Sequence, residues 1–96
     1  MDYVFHVIVF QDNEVWLAQI LEHDIVIQAE RREDLRSEFC YVVMGRIKAA
    51  EQEVIEDPFD LPPAPTPHPE GERIKVEFRV ENDAIHFTDG SSWRTI

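Results

Sequence analysis

Four histidines and one cysteine are the side chains in this sequence most suited to metal binding or to catalysis near neutral pH. His6, His23, His68 and His86 fall in different elements with no two within five residues, and Cys40 has no neighbour at ligand spacing. No metal or cofactor motif is present. In Glu22-His23-Asp24 a carboxylate beside an imidazole suits acid–base chemistry, and a polar turn accounts for the same three residues. No nucleophile and no phosphate-cradling glycine loop accompanies them, there being three glycines in all, so no catalytic residue is assigned. Cys40 lies one position from an apolar stripe and reads as a small buried hydrophobe. His6 reads as a core or sheet-edge histidine and His86 as a solvent-facing strand residue.

Charge is the stronger signal. Glu51, Glu53, Glu56, Asp57, Asp60, Glu70 and Glu72 follow one another with no Lys or Arg between them. Such a field attracts a basic partner and speeds encounter, and it equally describes a solvated connection. Glu51, Glu53, Glu56, Asp57 and Asp60 are therefore the candidate partner-binding residues. Trp93 joins them, either as a lid on the sheet or as an exposed anchor for another chain. Over the whole chain 20 acidic residues face 9 basic ones, a net charge of −11, which repels phosphate backbones and anionic lipid. Neither nucleic acid nor a membrane is expected as a direct partner. A single cysteine and the lack of a basic or long apolar leader point to the cytoplasm.

The 96 residues allow one modest core, so residues 1–96 read as a single domain, and a partner or a second copy that adds burial is expected. Tyr3 to Phe10 is dense in β-branched and aromatic residues, Gln11-Asp12-Asn13 reads as a turn, and Glu14 to Leu21 returns as a second strand. Ile25 to Ala29 makes a third. From Arg32 the period changes: Leu35, Phe39, Val42, Val43, Ile47, Ala50 and Val54 form one face of a helix of about 22 residues, roughly 33 Å long. Arg31 or Glu30 stands at its start, neither a good cap, and Gly45 interrupts it as a tolerated cost or as a close packing point. All six prolines lie between Pro58 and Pro69, and residues 56–72 read as an extended acidic connection that Phe59 and Leu61 pin to the body. Ile74, Val76, Phe78 and Val80 alternate with charge in a fourth strand, and Asn82-Asp83 turns the chain into a fifth, with Ile85 and Phe87 inward. The fold class is α+β: a two-layer sandwich of β-β-β-α-β-β order, one long helix on one face of an antiparallel sheet.

Glu14-Val15-Trp16-Leu17-Ala18-Gln19-Ile20, followed by Ile25 to Leu35 with Val26, Gln28 and Glu33 on matching positions, resembles the N-terminal domain of HicB-like antitoxins. The resemblance covers about residues 3–55, leaving the connection 56–72 and the hairpin segment 73–96 beyond it. Many members append a helix-turn-helix or ribbon-helix-helix module, whereas here the connection leads only to alternating strands. The resemblance thus implies the toxin-neutralising half, a non-enzymatic module that sequesters a small basic ribonuclease toxin. The alternative is a self-associating structural protein, a homo-oligomer paired through sheet edges or through the Ile47 to Val54 end of the helix.

Overall fold

The computed structural model describes residues 2–64 and 66–88. Over these the chain forms β1 (Asp2–Asp12), β2 (Val15–Ile20), β3 (Ile25–Ala29), α1 (Leu35–Glu53), β4 (Glu72–Glu81) and β5 (Ala84–Phe87). A 3₁₀ turn, Arg32–Asp34, leads into α1. The strands make one antiparallel sheet of order β3-β2-β1-β4-β5. The C-terminal hairpin therefore joins the opening meander through β1 and β4, with Phe5 opposite Val76 and Val7 opposite Ile74. The fold is α+β.

The two hairpins closed by two-residue loops, β1–β2 and β4–β5, have both loop residues in the left-handed region: Asn13 and Glu14 at φ 50° and 67°, Asn82 and Asp83 at 51° and 59°. Those signs match the twist of the flanking strands. The first turn is Asn13-Glu14 rather than Gln11-Asp12-Asn13, because Asp12 and Val15 already pair and leave a two-residue loop.

Strand alternation puts Phe5, Val7 and Val9 on one face of β1, beside Ala18 and Ile20, Ile25 and Ile27, and Ile74, Val76 and Phe78 of the neighbouring strands. The α1 residues Leu35, Phe39, Val43 and Ile47, all buried, close over them. Phe39 sits at the middle, its ring 5.6 Å from Phe78 and 6.0 Å from Phe87. Val42 is half-buried, and Val54 departs from the expected stripe altogether. It ends the helix at φ 56°, ψ 44° and is 89% exposed, since leaving the helical twist takes its side chain off the buried face.

The connection makes up the length between the end of α1 and the start of β4, but it does so across the sheet face that α1 leaves open. Pro62 accepts from Asp24 N–H (2.8 Å) and Ala64 N–H donates to Leu21 (3.0 Å), carrying the chain around the β2–β3 turn. Gln19, which alternation aims away from the core, then holds it at both ends of its amide: Nε2 donates to the Thr66 carbonyl (3.2 Å) and Oε1 accepts from His68 N–H (3.1 Å). His68 stacks on Phe10 with ring centroids 3.9 Å apart. Gly71 passes so close to Ile8 that a Cβ there would collide with the Ile8 side chain. Ile8 is 1% exposed although it points away from the helix, because this strap covers it. As expected, Phe59 pins the connection: it is 2% exposed and packs edge-on against Tyr3 and Phe5.

Candidate protein-docking groove

After the left-handed step at Val54 the backbone caps α1 and doubles back. Ile55 N–H donates to the Ala50 carbonyl at 2.8 Å. Asp57 Oδ1 accepts from Phe59 N–H at 2.9 Å, the local turn typical of an Asx residue, and this sends the Phe59 ring into the core. Arg46 Nε, reaching out from α1, donates to the Pro58 carbonyl at 3.0 Å and braces the loop. Residues 55–60 thus stand beside the outer face of α1. Between them runs a groove of about 790 Å³.

Tyr41, Val42, Met44, Gly45, Ala49 and Ala50 supply the apolar side of the groove, and Ile55 and Pro58 supply its facing wall. Glu53, Asp57 and Asp60 line it, together with Lys48 and Arg46. A second cleft of about 280 Å³ shares Ala50, Ile55 and Pro58 with the groove and holds Glu51 and Glu56. The five acidic residues singled out from the sequence therefore gather around one end of the helix. Burial, and after it the charge of Asp57, holds the Tyr3 phenol above its ordinary pKa. Trp93 lies outside the described residues.

Three local choices here work against folding, and they sit together. The carboxyl end of a helix carries about −0.5 elementary charge, so acids placed there cost roughly 0.3–1 kcal/mol each when exposed. The last turn of α1 holds Glu51 and Glu53 and no basic residue. Gly45 in mid-helix costs about 1 kcal/mol relative to Ala. Among the described residues nothing packs against it: apart from its own helix backbone, a Cβ at Gly45 would meet none of their atoms within 4 Å. Val54 is a β-branched residue held at positive φ, worth about 1–2 kcal/mol of strain. Local rules broken in one place, without compensation among the described residues, make this end of α1 the candidate functional surface.

The other chemical candidates are dispersed. Glu22 turns away from His23 and onto the open face, where its carboxylate accepts from His6 N–H at 2.8 Å and meets His6 Nδ1 at 2.5 Å. His6 is thus neither core nor edge: it sits in the middle strand with a side chain 60% exposed. The His23 ring packs against Phe5 and Phe59, 5.2 and 5.6 Å away, and its buried Nδ1 meets no hydrogen-bond partner among the described residues. His86 is exposed on β5, and Cys40 is half-buried with burial raising its thiol pKa. Among the described residues no three His, Cys, Asp or Glu side chains come together as a metal site. Of the residues that complete the groove, Arg46 and Lys48 read from the sequence only as the water-facing side of the helix, and Tyr41 went unread. The available signals were a tyrosine off the buried stripe, now 79% exposed, and the glycine one turn beyond it.

Comparison with protein-family models, curated proteins and solved structures found no match. No helix among the described residues is long and apolar enough to cross a membrane.

Proposed function

We propose that this chain is a non-enzymatic interaction module that captures a small basic protein in the groove beside the end of α1. The observation that carries this reading is the placement of Glu51, Glu53, Glu56, Asp57 and Asp60 around an apolar cleft at the negative pole of the helix. A cationic partner relieves that unfavourable clustering of charge, and apolar contact along the groove supplies affinity. A ribonuclease toxin is basic because it binds phosphates, so it fits such a surface. The resemblance of residues 3–55 to the toxin-neutralising domain of HicB-like antitoxins supports this reading, and a cytoplasmic setting is part of the proposal.

Co-expression with the neighbouring reading frame and pull-down, followed by stopped-flow association of the recovered pair, tests the proposal. Replacing Glu51, Glu53 and Glu56 by glutamine and Asp57 by asparagine should slow association about tenfold at low salt and leave it nearly unchanged above about 0.5 M, where the Debye length is only a few Å. Equal effects at both salts, or recovery of no basic companion, would refute it. Self-association is the second reading, favoured by β3 as a sheet edge with Val26 53% exposed. Two copies would meet through that edge and not through the acidic helix end, where like charges oppose. Light scattering at high concentration separates the readings.

A further inference from the structure

Resting on that docking reading, we infer that the element seated in the groove is an amphipathic α-helix, which lays its backbone over Gly45 and directs cations to Glu53, Asp57 and Asp60. Tyr41, Gly45 and Ala49 stand at successive i+4 positions of α1 and so form one ridge along its outer face. That ridge has a gap: Gly45 is exposed, no described residue enters the space within 4 Å above it, and Tyr41 rises on one side of it. Helices pack by setting a ridge of one into a groove of the other, at an axial separation governed by the side chains at the crossing. A missing side chain at the crossing gives the closest approach. Glycine disfavours α1 itself and serves no contact with another described residue, so close approach by a second backbone is a use that fits it.

An extended segment is poorly served by the same surface. A strand needs free backbone donors and acceptors to pair with. Here those around the groove are largely engaged: Ile55 N–H with Ala50, Asp60 N–H with Asp57, and the Pro58 carbonyl with Arg46. A helix arrives with its own backbone bonds made and asks only for side-chain contacts. Charge decides the face it presents. Arg46 is tied to the loop, leaving Lys48, among the described residues, as the cation in the lining without such a tie against Glu53, Asp57 and Asp60. A second copy, carrying a net charge of −11, is repelled from this end.

The test uses the full chain and two synthetic peptides of Leu, Ala and Lys with identical Leu and Lys content, about 18 residues long to match α1. In one the residues are ordered as an amphipathic helix. In the other, two central alanines are replaced by proline, which breaks the helix and keeps the charge. Titration followed by backbone amide NMR should shift residues 41–49 and 53–60 with the helical peptide, and the proline peptide should bind at least about tenfold more weakly. Gly45→Leu should weaken the helical peptide by a similar factor while melting at the same or a higher temperature, because leucine favours the helix and the site is open. That combination is not the signature of a merely structural position. Equal affinity for both peptides, or undiminished binding by Gly45→Leu, would overturn the helical occupant and leave acidic docking standing. If neither peptide perturbs the groove, the inference falls together with the docking reading. Shifts at residues 41–49 that depend on protein concentration, without peptide, would assign the groove to a second copy and overturn the inference.

Discussion

Phe59→Ala separates a connection that merely spans from one that is part of the core. The ring is 2% exposed and meets Tyr3 and Phe5 edge-on at 5.3 and 5.2 Å, with His23 at 5.6 Å. Its loss removes the largest apolar group the connection contributes and leaves a hole beneath the end of α1. Truncations of this kind cost about 3–5 kcal/mol, including the cavity that neighbouring residues only partly fill. A domain of this length has roughly 5–14 kcal/mol in all, so the variant should be close to the limit of folding. Urea unfolding followed by far-ultraviolet circular dichroism should show a large fall in midpoint at unchanged slope, and thermal melting a drop of roughly 15–30 °C. Leu61→Ala, at a half-buried site, should cost only about 1–2 kcal/mol. A Phe59→Ala loss below about 1 kcal/mol would show that residues 56–72 are a tethered spacer, contrary to the packing described. A change in slope instead would move the effect to the unfolded chain.

Two further perturbations probe the groove's frame. Val54→Gly should stabilise the chain by about 1 kcal/mol, since glycine adopts the left-handed cap without steric cost and the valine side chain is 89% exposed; a lower urea midpoint would refute the strained cap. Burial raises the Cys40 pKa in the folded chain, so the folded state holds its thiol proton more tightly than the unfolded state does. Its contribution is whole below the unfolded thiol pKa, about 8.5, and drains away as pH rises through the folded value. Between about pH 8.5 and 9.5, below the range in which Tyr3 titrates, the native chain should lose stability that Cys40→Ala does not. Parallel stability curves for the two proteins across that window would refute the assignment.

Much of the candidate site was legible because it is local. The run of carboxylates after residue 50 and the oddity of Gly45 are visible in the sequence itself. Tyr41, Arg46 and Lys48 were not, because each is an ordinary residue for the outer face of a helix until the loop 55–60 folds back beside it. The same distinction explains Glu22 and His23. Adjacent in sequence, they are sent to opposite faces of the sheet, one to His6 and the other to Phe5 and Phe59.

By itself the sequence determined the elements and their inward faces, since a period of two in Ile74 to Val80 and of three to four in Leu35 to Ala50 depends only on backbone geometry. It also determined where the chain turns and where its negative charge accumulates. Tertiary structure alone decided that β4 pairs with β1, that the proline segment crosses the open face of the sheet, and that a carboxylate cluster borders an apolar groove. These rest on contacts between residues far apart in the chain, whose partners are chosen by shape and burial and not by neighbouring sequence.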